Sequence, residues 1–221
     1  RHSLVLIMSQ NLDLINAEKV RNLLDSGERI RLNLGSGNQP YFGFVGIDLS
    51  GYAMDIKHDL HSPLPFEDNS VDEIFASHVI EHFPLWEIDR LLNDWNRVLK
   101  AKTGVFFGFV PDIPAVAEQY LKSVAESDWG KKRVWIANFN GGYANSEFIG
   151  EGQVHYACYD EDLLREKLSI GHFNPIYITH EHPGMDDYRL TFICGKGVFE
   201  VAEPPLNFKV AWAAWREEGS P

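Results

Sequence analysis

Residues 32–49, LNLGSGNQPYFGFVGIDL, constrain the fold more than any other stretch of the chain. A short apolar run stops at Gly35, a second ends on Asp48, and only Ser36 to Gly43 lie between the glycine turn and that second run. Two glycines at a strand end let the backbone turn sharply and come close to a ligand with no side chain in the way. So short a link leaves no room for a helical crossover between the two strands.

The rest of the chain repeats this alternation. Further strand-like runs occur at 53–60, 71–77 and 104–110; the last, GVFFGFV, is apolar throughout, as a strand covered on both faces must be. Residues 30–35 and 44–49 are the first two strands, and 175–180 and 189–194 close the series. Helices are expected over 13–25, over the stretch carrying Ile88, Leu91, Leu92, Trp95, Val98 and Leu99, over 114–126, and over 160–171. In the last of these Asp160 caps and Gly171 stops the helix. Strands alternating with helices predict an α/β fold: a Rossmann-like, doubly wound, mostly parallel seven-stranded sheet, helices on both faces, the last strand antiparallel. One folded unit is expected over 13–196. It includes a long Gly-, Asn- and aromatic-rich loop over 127–157, suited to holding a substrate. Residues 1–12 read as an extension, with 1–7 a cloning remnant ahead of Met8. Residues 197–221 read as a tail with a short helix near 208–217, serving as a homodimer contact or a lid.

Composition narrows the partners. The chain has 221 residues and a formal charge of −12, from 20 basic and 32 acidic residues. That balance repels nucleic acid and anionic membrane surfaces, so neither is expected as a partner. Two cysteines, Cys158 and Cys194, make no disulfide framework and read as free thiols. No apolar run approaches the length of a membrane span. A cytoplasmic protein acting on a small molecule is the expectation.

The glycine turn suggests a nucleotide, but not a phosphate-rich one. No Gly-Lys-Ser/Thr ending occurs, and Pro40 stands where a dinucleotide fingerprint needs its third glycine. A ligand without phosphates fits better. Asp48, at the end of the second strand, can accept from both hydroxyls of a ribose, and Asp59, at the end of the third, from an adenine amino group. Each aspartate alone has the plainer reading of a turn or cap residue.

Taken in order, LNLGSG, GIDL, HDLHSPLPFEDNSVDEIFASHVIEH and RVLKAKTGVFFGFVPD resemble the class I S-adenosylmethionine-dependent methyltransferases. The resemblance covers 30–110 closely and 155–195 loosely. It implies a cofactor site of Asn33, Gly35, Ser36, Gly37, Asp48, Leu49, Asp59, Leu60, Ser77 and His78, with Ser77 and His78 bordering the sulfonium. The chain departs from the family pattern at Asn33, where an acid is common, and at LKAKTG, where Pro-Gly-Gly is common. The short first crossover is that of a sub-branch associated with sugar and surface-glycan modification. The implied reaction is methyl transfer to a small-molecule or sugar hydroxyl, or to an amine.

A hydroxyl acceptor needs a base. His155, His82 and Asp112 are the candidates, with Tyr143, Tyr156 and Trp135 as pocket lining. Asp112 could equally cap the following helix. The stretch His78-Val79-Ile80-Glu81-His82 also fits the H-x-x-E-H pattern of one class of zinc peptidases. A peptidase needs both histidines on one helical face with a third ligand elsewhere, such as His180 or His182, and Pro84 leaves little room for that helix. No metal is expected. A nicotinamide-dependent oxidoreductase and a non-catalytic nucleoside-binding partner remain as the other readings.

Overall fold

A computed structural model describes residues 13–141, 154–184 and 187–197. Its centre is an eight-stranded sheet: β1 (Asp13–Leu14), β2 (Arg31–Leu34), β3 (Val45–Asp48), β4 (Ile56–Lys57), β5 (Glu73–Ser77), β6 (Val105–Pro111), β7 (Ile176–Gly184) and β8 (Asp187–Gly195). The spatial order is β1-β4-β3-β2-β5-β6-β8-β7. Strands β4, β3, β2, β5 and β6 run parallel, while β1 pairs antiparallel with β4, and β8 antiparallel with both β6 and β7. This is the expected doubly wound α/β architecture with one strand more. Asp13 and Leu14, read as the start of a helix, instead pair with Lys57 and Ile56. Asn16 then caps α1 (Ala17–Ser26), and Gly27 ends it in a left-handed conformation.

Register sorts the core into two faces. Leu32, Leu34, Ile47, Ile74, Phe106 and Phe192 share one face and are fully buried. Helices α2 (Leu85–Val98) and α5 (Glu161–Ile170) send Leu92, Trp95, Leu164 and Leu168 into that same core. The two helices touch closely: a Cβ on Gly171 would lie 2.7 Å from that of Leu92. On the opposite face Phe75 and Phe109 form a smaller aromatic group with Phe44, against which Tyr41 and Phe107 pack. Tyr41 and Phe44 come from the short link between β2 and β3, which contains no helix, as its length required.

The largest departure from expectation lies in the anticipated loop. After α3 (Ile113–Ala125) the chain forms a further helix, α4 (Trp129–Asn140), capped by Asp128, whose side chain accepts from the Lys131 N–H. Residues 142–153, including Tyr143, lie outside the described residues, as do nearly all of the tail from 198 onward and the segment 1–12. Among the described residues no helix is long and apolar enough to cross a membrane.

Candidate functional site

Parallel strands deliver their carboxyl ends to one edge of the sheet, and the residues singled out in sequence gather there. Gly35 and Gly37 follow β2 with left-handed φ of +63° and +49°. A Cβ on Gly35 would stand 2.6 Å from Val79 Cγ2, so this turn rests directly on the one after β5. No atom lies within 4 Å of the Cβ position of Gly37, which faces open space. The Gly37 N–H donates to Asp48 Oδ2 at 2.7 Å, and the N–H groups of Leu49 and Ser50 donate to Asp48 Oδ1 at 2.6 and 3.3 Å. A carboxylate offers about four lone-pair directions, so Asp48, half-buried, keeps capacity for a ligand hydroxyl.

The neighbours take different parts. Asn33 is buried and its Nδ2 donates to the Gln39 carbonyl at 3.0 Å, bracing the glycine turn from below. Ser36 is buried, and its hydroxyl has no hydrogen-bond partner among the described residues. Leu49 is exposed at the crevice rim, while Leu60 is buried. Asp59 is exposed, and its Oδ1 accepts from the His61 N–H at 2.9 Å, which is the turn role. Ser77 ends β5, and His78 follows in a left-handed conformation, φ +52°, its N–H donating to the Phe109 carbonyl at 3.0 Å. A non-glycine residue held there costs on the order of 1 kcal/mol and persists only where its surroundings enforce it.

Glu81 is the residue that sequence reasoning left out of the site. It lies in a short 3-10 turn, Ile80–His82, and is 0% exposed. Its Oε1 takes a 3.1 Å hydrogen bond from His78 Nδ1, and Oε2 is buried with no partner among the described residues. Burial pushes the Glu81 carboxyl up, but the hydrogen bond and charge of His78, with His82 and His155 nearby, outweigh it and hold the group below its usual range. The backbone N–H groups of Tyr156 and Ala157 both donate to the Glu81 carbonyl, so the segment 154–157 is laid along this turn.

That alignment brings the two candidate histidines together. The His82 and His155 rings stand edge to face, 4.8 Å between centroids. His82 Nδ1 donates to the Val154 carbonyl at 3.0 Å and His155 Nδ1 to the Asn138 carbonyl at 2.9 Å. Carbonyl oxygens only accept, so Nδ1 is the donor in each ring, and in the neutral imidazole the lone pair then lies on Nε2. Burial pushes the His155 pKa below its ordinary value, which keeps the ring neutral near pH 7. The carboxyl-end carbonyls of α4 therefore orient His155, a role invisible while 129–140 read as loop.

The third candidate base is committed elsewhere. Asp112 is 2% exposed; its Oδ1 caps α3 through the Ala115 N–H and its Oδ2 accepts from His180 Nδ1 at 2.6 Å. Trp135 is buried and packs edge to face on Tyr188, and Tyr156 is exposed. The peptidase geometry does not form: His78 stands outside the 3-10 turn, bonded to Glu81, rather than one helical turn from His82. A cavity of about 600 Å³ lined by Lys19, Phe42 and Phe44 sits at the amino ends of β2 and β3, away from these groups.

Comparison with known proteins adds to this geometry. The model of a family described as "Methyltransferase domain" matches residues 38–107. No curated protein matches the chain in sequence. Among solved structures, a 1,6-didemethyltoxoflavin-N1-methyltransferase from Burkholderia thailandensis, with 1,6-didemethyltoxoflavin and S-adenosylhomocysteine bound, is similar at TM-score 0.52 and 14% identity, over 86% of this chain and 81% of its own. A protein from Pyrococcus horikoshii OT3 is similar at TM-score 0.50 and 16% identity, over 82% of this chain and 88% of its own. At such identities the likeness is one of fold.

Proposed function

We propose that this chain is a class I S-adenosylmethionine-dependent methyltransferase, a reading supported by the matched methyltransferase segment and by the fold, and that it methylates a hydroxyl of a small molecule or sugar held beside Glu81, His82 and His155. The observation that carries the acceptor's place is the pair of imidazoles whose Nδ1 atoms are pinned to backbone carbonyls. The net charge of −12 supports a small acceptor over nucleic acid or a membrane surface, and a cytoplasmic setting is part of the same reading.

The chain's residues fit the cofactor. The unobstructed Cβ position of Gly37 and the remaining lone-pair capacity of Asp48 border one crevice, with the buried, unpartnered Ser36 hydroxyl beneath the turn. There Asp48 would hold the ribose hydroxyls, Asp59 the adenine edge, and Ser77 with His78 the end nearest β5. When bound, S-adenosylmethionine supplies an electrophilic methyl group on a sulfonium. The chain's part would be to hold an acceptor oxygen in line with that methyl group, and such positioning supplies most of the rate. The hydroxyl proton must leave as the oxygen–methyl bond forms. The group Glu81, His82 and His155 is where its departure is assisted.

Calorimetric titration with S-adenosylhomocysteine tests the cofactor half. Wild type is expected to bind at micromolar levels, and Asp48→Ala to bind about 10- to 100-fold more weakly, the worth of a charge-assisted hydrogen bond. Failure of folded wild type to bind at all would overturn the reading. Methyl transfer from labelled cofactor to a panel of hydroxyl and amine acceptors tests the other half. His155→Ala should lower turnover while S-adenosylhomocysteine affinity stays. Binding with no turnover on any acceptor would favour the non-catalytic nucleoside-binding partner.

A further inference from the structure

Three electron-rich groups converge next to the cofactor crevice. One ligand atom each from Glu81, His82 and His155 lie within 4.8 Å of one another. The carboxylate is fully buried, and its Oε2 has no hydrogen-bond partner among the described residues. In the neutral form both imidazoles present Nε2 lone pairs, because Nδ1 is the donor to the Val154 and Asn138 carbonyls. Two neutral imidazoles oriented by carbonyl bonds through the far nitrogen are what a metal ion's histidine ligands look like, the second bond fixing tautomer and direction. His78 completes the pattern by donating to the other oxygen of the carboxylate.

We propose that Glu81, His82 and His155 form a binding site for a divalent transition-metal ion, held by the two Nε2 atoms and Glu81 Oε2, with its open positions facing the acceptor. Two imidazoles and one carboxylate suit zinc or iron(II), whereas magnesium and calcium take oxygen ligands. Ligand atoms around such an ion stand about 3 to 3.5 Å apart, since each bond is about 2.1 Å. The three groups, within 4.8 Å of one another, would have to draw closer to bind an ion. Bound there, the ion would take an acceptor oxygen and, as a Lewis acid, lower its pKa so that its proton leaves to water. That last role rests on the methyltransferase reading; the binding of metal does not. The site departs from the sequence-based expectation of no metal, and it uses only two residues of the H-x-x-E-H stretch, with His155 in place of His78.

Metal-stripped full-length protein would be titrated with Zn²⁺ by calorimetry and with Co²⁺ by visible absorption, S-adenosylhomocysteine being titrated into the same samples. One high-affinity site per chain is expected, with a Co²⁺ spectrum of a low-coordinate nitrogen–oxygen site. His155→Ala should weaken Zn²⁺ by about 100-fold or more, losing a direct ligand where even outer-shell losses cost 10- to 100-fold. His180→Ala, a histidine outside the cluster, should leave Zn²⁺ affinity unchanged. His82→Gln provides a second ligand variant should His155→Ala fail to fold. Zn²⁺ affinity that is absent from wild type, or indifferent to both ligand variants, overturns the proposal. Metal binding without S-adenosylhomocysteine binding would leave this site standing and remove the methyltransferase reading; the reverse result would remove the metal and keep the enzyme.

Discussion

Gly35 and Gly37 share a left-handed backbone but differ in what a methyl group would meet. Gly35→Ala drives a Cβ to within 2.6 Å of Val79, so both φ strain and overpacking act, and a loss of about 1–3 kcal/mol is expected by urea unfolding. Gly37→Ala meets no atom and should cost only the φ strain, about 1 kcal/mol. Its Cβ enters the crevice instead, so S-adenosylhomocysteine affinity should fall more than stability does. Unchanged affinity would show that this turn does not approach the cofactor. Both glycines were legible in the sequence because strand-end turns need their φ; which of the two has room around it was not, because Val79 arrives from another strand's turn.

His180 offers a pH test at the same scale. Its pKa is raised, first by the hydrogen bond to Asp112, with burial opposing and Glu161 adding to the rise. A raised folded value means the pair's contribution is fully present below the unfolded histidine value, about 6.5, and is lost as pH rises through the folded one. Wild type should therefore exceed His180→Ala in stability more at pH 5.5 than at pH 8.5. The side chain is 52% exposed, so solvent screening keeps that difference below about 1 kcal/mol. Equal differences at both pH values would mean that the Asp112 contact carries no charge dependence.

Helix α4 is the element on which the proposed acceptor side depends. Its carboxyl-end carbonyls hold His155, and Trp135 fastens it to the start of β8 through Tyr188. Trp135→Ala removes a buried indole, so a cost of about 3 kcal/mol or more is expected in unfolding experiments. Turnover should drop further than stability implies, with S-adenosylhomocysteine affinity retained, because the proposed cofactor crevice lies at the ends of β2, β3, β4 and β5. Parallel loss of cofactor affinity would tie α4 to the wrong half of the site. The helix escaped sequence reading for a physical reason. Its apolar residues, Trp129, Val134, Trp135, Ile136 and Phe139, fall around the whole circumference rather than on one stripe, and Gly130 sits in its first turn. Packing against α3 and β8 stabilises it instead, as with the Tyr120–Phe139 contact. By contrast α2 carried a clear apolar stripe and α5 a cap at Asp160, and both formed where expected.

For the whole molecule, cofactor binding and folding are linked. The proposed crevice is assembled from the ends of four separate strands and exists only in the folded chain. S-adenosylhomocysteine at about 100 times its dissociation constant should then add about 2.7 kcal/mol of stability. For a chain of this size that corresponds to a rise in Tm of about 5–10 °C. A scan showing no shift at saturating ligand would contradict binding to the native state.

The sequence by itself determined the parallel α/β architecture, the helix-free first crossover, the glycine turn and the strand-end position of Asp48. These depend on hydrophobic period, link length and local turn chemistry, which neighbouring residues carry among themselves. Tertiary structure alone decided that His82 meets His155, that Glu81 is buried between them and His78, and that Asp112 is engaged by His180. His82 bonds a carbonyl 72 positions away, and no local pattern encodes such a meeting. It follows from the path by which α4 and the segment 154–157 return over the end of β5, bringing the partners that select each ring's tautomer.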